Sequence, residues 1–531
     1  MTQPPDDRST ATALARIDSS FDYSLAIDFL YGRIDYERQR SFDDAPHPGH
    51  GKNPHPVPRP QPFRLDGTRE LFRRLGLAGY LFADDDSLPP IPLVHIAGTK
   101  GKGSTSTMVS CILSAAGYRV GLYTSPHLTH IEERFRVDNR PCSRRQLTEL
   151  VFQVRAAVNE MELEGRTPSF FELSTALAVL HFHRMNCDVI VLEVGLGGRL
   201  DSTNVCKSTI AAITSIGLDH QHLLGNTIGA IASEKAGIIK SSQPVISGAT
   251  QEEAREVIRA TASLAGGDLF ELDVDFHCES APETPRAFQR VGYHVSNAKL
   301  EWESCKHFEF DLALRGRHQA RNAAVAVSIV RRLAEFGFNV DAASIQAGLS
   351  ERLVLEGRIE SFPLNDRSGR PLEVIVDTAH NPDSLAALVS AVRPGRAAAG
   401  PTMRMTVYII STSRDKDVAS MAEVLLGEAD HLICTQFQTN PRAISAAELT
   451  KQFASAQASE TTPVASVHEV AEPERALKFG LDLAFQSQSS MPPLIVICGS
   501  FFLAGELRPI VERMAAESAT SDSFLGERGS S

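Results

Sequence analysis

The chain has 531 residues, too many for one compact core, so two domains are expected. Its 42% hydrophobic and 22% charged content is that of a globular protein, and a formal net charge of -12 argues against a general nucleic-acid binder. The eight cysteines are scattered with no C-x-x-C pair, which excludes a zinc ribbon or a disulfide framework and fits a reducing compartment. Residues 1–20 are polar, carry no signal-peptide pattern and are expected to be a disordered tail. No apolar run reaches the roughly 18 residues of a membrane span, so the protein reads as cytoplasmic with no membrane partner.

"FDYSLAIDFLYGRI" predicts an amphipathic helix. Residues 42–62 follow, rich in Pro, His and Gly; His47, His50 and His55 are placed in a disordered surface insertion, because the prolines prevent a rigid ligand cage. From Val94 the pattern becomes strand, Gly loop, helix, strand, with a helix expected over 105–116 and a strand from Val120. "CDVIVLEVGLGG" and "STIAAITSIG" add buried strands, which implies a parallel sheet covered on both faces. Antiparallel strands are expected over about 267–313, then a helix in "HQARNAAVAVSIVRRLAEFG". "LEGRIESFPLNDRSGRP" reads as an interdomain hinge, and four strand-like runs after it predict a second, smaller α/β domain. The expected division is 21–353 and 354–515, with 516–531 a disordered tail.

"GTKGKGST" follows a strand and opens a helix, the setting of a phosphate-binding loop. Its glycines admit backbone N–H groups to phosphate oxygens, Lys102 adds charge and the helix N-terminus adds its dipole. The usual P-loop spacing is imperfect: Gly103 takes the hydroxyl position and moves the hydroxyl to Ser104. Three further strand ends carry candidate ligands. Ser125 lies in a Thr-Ser-Pro turn. Glu193 suits a Mg²⁺ held with phosphates, or else pairs with Arg199. His220 is a metal ligand or a core histidine. Lys235, in the apolar "IASEKAGIIK", must be paired, neutralised or put to use if buried. In the second domain Asp377 and His380 follow a strand, positioned for ribose or phosphate, while Asn381 or Asp383 caps the next helix.

Together "GTKGKGST", "TSPHL", "SFFELSTALA", "EVGLGGRLDSTN", "DHQHLLGNTIGAIASEKAGI", "GRHQARNAA", "EGRIE", "DTAHNP" and "GSFFLAGELR" resemble the folylpolyglutamate synthase/dihydrofolate synthase family of Mur-type ATP-dependent amide ligases. The resemblance runs from Phe21 to about Glu512. It implies a large P-loop-containing parallel-sheet domain with a smaller Mur-ligase-type C-terminal α/β domain, acting as a monomer. It further implies that Gly101, Lys102, Gly103 and Ser104 hold ATP phosphates, and that Asn322, Arg358 and Asp377 contact ATP from the interdomain side. Ser125, Glu193 and His220 align with Mg²⁺ ligands, and Lys235 with a lysine carbamylated by CO₂ that helps hold a second Mg²⁺. Ser169, Phe170, Phe171 and Glu172, with Leu200, Asp201 and Ser202, align with contacts to the pterin substrate, although "SFFE" also reads as a structural helix start.

The implied reaction adds L-glutamate to a reduced folate or dihydropteroate through an acyl phosphate, with Lys102, Lys235 and His380 supporting the chemistry. Departures from the family pattern are Lys100 where many bacterial members have asparagine, the Pro/His-rich insertion, and "STSRDKD" without its expected glycine. A cell-wall precursor ligase of the same fold and a non-catalytic nucleotide-binding module are the alternatives.

Overall fold

The computed structural model describes residues 23–33, 65–82, 89–280, 288–300, 306–365, 369–392, 404–457, 466–487 and 491–526. The expectations for residues 1–20 and 42–62 lie outside the described residues.

The N-terminal domain is built on an eight-stranded sheet ordered β4-β3-β2-β5-β1-β6-β7-β8. Its strands are β1 (Leu93–Ala97), β2 (Val120–Tyr123), β3 (Phe135–Val137), β4 (Arg140–Pro141), β5 (Val189–Glu193), β6 (Ile210–Ile213), β7 (Val245–Ser247) and β8 (Leu269–Glu271). From β2 to β8 the pairing is parallel; β3 and β4 extend one edge antiparallel. "LVHIA" and "VIVLE" are buried at every position because both faces are covered. Val94, Ile96, Val189 and Val191 enter one core and Leu93, Ile190 and Leu192 the opposite one, as the two-residue strand period requires. Helix α1 (Lys102–Ala115) starts at the end of β1, slightly earlier than the sequence suggests, since Gly103 is helical.

The antiparallel strands expected near 267–313 form a small sheet of β9 (Phe276–Ser280), β10 (Gln289–Val295) and β11 (His307–Leu312), whose Val291, Tyr293 and Phe310 face the core.

The C-terminal domain has six strands ordered β12-β13-β17-β14-β15-β16. The expected runs are β13 (Pro371–Val376), β14 (Thr406–Ile410), β15 (His431–Cys434) and β17 (Leu494–Cys498); β16 (Ser466–Glu469) is additional. The stretch read as a hinge is partly regular: after a turn at 357–359 it becomes β12 (Glu360–Asn365), antiparallel to β13. Phe362 and Leu364 point into the core, and Pro363 is tolerated because β12 is an edge strand.

The expected tail over 516–531 is corrected in its first part. The last helix runs Phe501–Gly526, because "VERMAAESATSDSFL" contains no Gly or Pro to stop it. Among the described residues no helix is long and apolar enough to cross a membrane.

Candidate active site

Ligands of a parallel sheet gather at the carboxyl ends of its strands, and four neighbouring strands converge here. After β1 the chain turns through Gly101, whose φ of +86° favours glycine, and enters α1. A Cβ at Gly101 would stand 2.3 Å from Asn322 Oδ1, so Asn322, on the helix Arg317–Arg332, is pressed against the loop. Lys102 Nζ donates to the carbonyls of Gly98 at 3.0 Å and Thr99 at 3.4 Å, curling its ammonium over the loop's own backbone. Ser104 is buried in the first helical turn.

Glu193 closes β5 and is buried; its Oε2 accepts the N–H of Ser125 at 2.9 Å, which ties the ends of β2 and β5 together. Burial raises its carboxyl above the usual range, opposed by Lys102 and the Ser125 N–H. Arg199 instead pairs with Glu234 at 2.7 Å, which overturns the alternative that Glu193 serves Arg199. His220 adopts a left-handed backbone with φ +49°, uncommon for a non-glycine residue, and its Nε2 lies 3.8 Å from Asp219 Oδ1. Burial pushes this imidazole down, and Lys416, Lys102 and Lys235 push the same way.

Lys235 is buried near the end of a short helix, Ile228–Ala236, and its Nζ donates to the Gly98 carbonyl at 2.9 Å. Burial, and then the charge of Lys102, push its ammonium down to about 7. At neutral pH much of this lysine is therefore the neutral amine.

The C-terminal domain completes the pocket. Arg358 lines it beside Gly103, Ser104, Ser125 and Glu193, although more than 160 residues separate it from Glu193 in the chain. Asp377 accepts from the N–H groups of Ile359 at 2.8 Å and Ala379 at 2.7 Å, so its carboxylate holds the turn that presents Arg358. Burial raises Asp377, and Arg358 works against the rise. His380 Nδ1 is 2.9 Å from the Thr378 carbonyl, which assigns the proton to Nδ1. Its ring and the Arg358 guanidinium both contact the Phe501 ring, at 5.6 and 5.1 Å between centres. Asn381 caps the following helix through the Ser384 N–H at 3.0 Å.

The pterin-aligned residues divide. Ser169 and Glu172 form a reciprocal capping box, and Glu172 also accepts from Thr68 at 3.0 Å. Phe170 is core and Phe171 half-buried, and the Arg134 guanidinium lies over both rings, at 5.1 and 5.9 Å. The Asp201 carboxylate accepts from Leu196 N–H and from Thr203, and Ser202 bonds Thr175 at 2.7 Å. Leu200 is half-buried. A Cβ at Gly195 would meet Asp201, Phe171 and Ser125 within 3.7 Å, so this cluster adjoins the Ser125–Glu193 pair.

Sequence reasoning missed two contacts, the first between distant residues and the second a local cap. Lys100 Nζ bridges to Asn381 Oδ1 at 3.2 Å and Asp383 Oδ2 at 3.1 Å in the other domain. Glu133 accepts the N–H groups of Leu128, Thr129 and His130. Among the described residues no three His, Cys, Asp or Glu side chains form a ready-made metal cluster.

Residues 96–330 match the Mur ligase middle domain and residues 357–501 the Mur ligase glutamate ligase domain. Folylpolyglutamate synthase of Lacticaseibacillus casei is 32% identical over 356 residues, 66% of this chain and 78% of that protein. Dihydrofolate synthase/folylpolyglutamate synthase of Bacillus subtilis is 32% identical over 422 residues, 78% of this chain and 89% of that protein. The structure of Mycobacterium tuberculosis folylpolyglutamate synthase complexed with ADP and AMPPCP superposes with a TM-score of 0.72 at 28% identity, covering 85% of this chain and 95% of that one. The strand-end loops, the Mur-type second domain and these relatives together place the chain in the folylpolyglutamate synthase/dihydrofolate synthase family of ATP-dependent ligases.

Proposed function

We propose that this ligase, which joins glutamate to folates using ATP, also accepts dihydropteroate and works through an acyl phosphate. The observation that carries the reading is the single pocket in which Gly103, Ser104, Ser125 and Glu193 face Arg358 from the other domain. Residues 101–104 receive the phosphates, with Lys102 leaving the Gly98 and Thr99 carbonyls to neutralise them. Asn322, Arg358 and Asp377 hold the rest of the nucleotide, Asp377 acting through the 357–359 turn. The cluster of Phe171, Leu200, Asp201 and Ser202 beside Gly195 receives the pterin end, where Ser169, Phe170 and Glu172 shape the helix start.

The substrate carboxylate attacks the γ-phosphorus, its new O–P bond forming as the bond to ADP breaks. The glutamate amine then attacks the acyl carbon, inorganic phosphate leaves, and an amide remains. No protein nucleophile is needed; positioning and charge neutralisation by Lys102, with His380 at the domain interface, lower the barrier. Every residue assigned to the site comes from one chain, so the reaction needs no residue from a second copy, and we read the enzyme as a monomer.

The donor set of Ser125 hydroxyl, buried Glu193 carboxylate and neutral His220 imidazole fits Mg²⁺, with Lys235 serving a second ion once modified. Bound there, Mg²⁺ would neutralise phosphate charge. Lys235 fits carbamylation: its neutral amine adds to CO₂, releases one proton and leaves a carbamate. The support is its burial with a backbone carbonyl as its hydrogen-bond partner. Intact mass under native conditions should exceed the sequence mass by one CO₂, and Lys235→Ala should lack the increment; an unmodified wild-type mass would contradict it. For the mechanism, heavy oxygen in the folate carboxylate should appear in the released phosphate, and label-free phosphate would exclude the acyl phosphate.

A further inference from the structure

Three residues beyond Ser125, the same loop reaches into the other domain. Leu128 packs against the C-terminal core cluster that includes Val376, Leu503 and Leu507. Its side chain fits over Gly357, where a Cβ would lie 3.2 Å from Leu128 Cδ2. Its carbonyl is set against the last helix at Gly505, where a Cβ would stand 2.3 Å from the oxygen. Only glycine admits that approach.

On its own domain the loop is pinned nearly residue by residue. Glu193 holds the Ser125 N–H at 2.9 Å. Arg134 Nε donates to His127 Nδ1 at 2.8 Å. Glu133, itself buried, takes the N–H groups of Leu128, Thr129 and His130 at 2.7, 3.0 and 2.7 Å. A segment held this way moves as a unit, because packed contacts transmit displacement rather than absorb it.

We infer that Leu128 is a positioning residue for the ligation: it couples the placement of the C-terminal domain to Ser125 through the loop that Glu133 clamps. The inference rests on the reading of Ser125 as part of the phosphate and metal site. When the C-terminal domain seats, Leu128 is seated with it, and Ser125 and Glu193 take their working geometry. When the domain shifts, the loop shifts too.

Gly505→Ala separates this role from a structural one. An alanine Cβ there would press on the Leu128 carbonyl, so a purely structural view expects a lower melting temperature with the turnover of the folded fraction unchanged. The coupling instead expects Gly505→Ala and Leu128→Ala each to lower kcat by roughly ten- to a hundredfold, with a much smaller change in the KM for ATP. Leu128→Met, which refills the same space, should recover most of the rate. Hydrogen–deuterium exchange should show the amides of Leu128, Thr129 and His130 exchanging faster in Gly505→Ala than in wild type. Ser125→Ala is the control. If it is crippled while Gly505→Ala and Leu128→Ala turn over normally with unchanged exchange, the coupling is wrong and the site stands. If Ser125→Ala keeps the wild-type rate, the reading of Ser125 fails and this inference fails with it.

Discussion

Lys102 and Lys235 answer one electrostatic problem differently. Lys102 keeps its ammonium close to loop carbonyls, whereas Lys235 is buried beside that charge and is driven toward its neutral form. Replacing Lys102 with methionine removes the positive charge without removing the stem, and should lower kcat by about 100- to 1000-fold in a steady-state assay. Retention of full rate would remove Lys102 from the site. Several histidines carry a separate signal for stability. Burial pushes His95 and His127 down to about 3, and His181 and His318 down to about 4. Below about pH 6.5 the unfolded chain binds protons that the folded state refuses, so this contribution is complete above 6.5 and lost as pH falls toward the folded values. Melting temperature should therefore drop steadily from pH 6.5 to 4, and His95→Asn should flatten part of the slope. A melting temperature constant over that range would contradict the buried neutral histidines.

At the scale of elements, motifs with local causes were legible and those with distant partners were not. "GTKGKGST" announces its loop because glycines, a lysine and a helix start are all local, yet the pressure of Asn322 on Gly101 is set by a helix more than 200 residues away. Gly101→Ala should cost about 1–3 kcal/mol through its left-handed backbone and the Asn322 clash, read as a shifted denaturation midpoint with weakened ATP binding. "SFFE" could be read as a substrate contact or as a structural helix start, and Ser169 and Glu172 form a cap there, Glu172 also accepting from Thr68. β12 hid behind Pro363 and Gly357, since a proline is tolerated on an edge strand and edge position is a property of the whole sheet. The last helix extended past its expected end for a simpler reason: small and polar residues resemble a tail but do not break a helix.

Across the whole molecule, the candidate site draws residues from two domains whose contacts are invisible to local patterning. In the sequence Lys100 is only a departure from the family pattern, and its bridge to Asn381 and Asp383 forms only when the two sheets come together. Asp383 is largely exposed, so Lys100→Asn should leave melting temperature almost unchanged while making turnover less sensitive to added salt. An unaltered salt dependence would mean the bridge does not influence closure. The central claim is tested most directly by measuring L-glutamate-dependent ADP release from the purified chain with Mg²⁺ and ATP, offering dihydropteroate and tetrahydrofolate in separate reactions. The account predicts release with both acceptors and none without glutamate. Release with tetrahydrofolate alone would contradict the second activity, and no release with either acceptor, while ATP still binds, would contradict folate ligation itself.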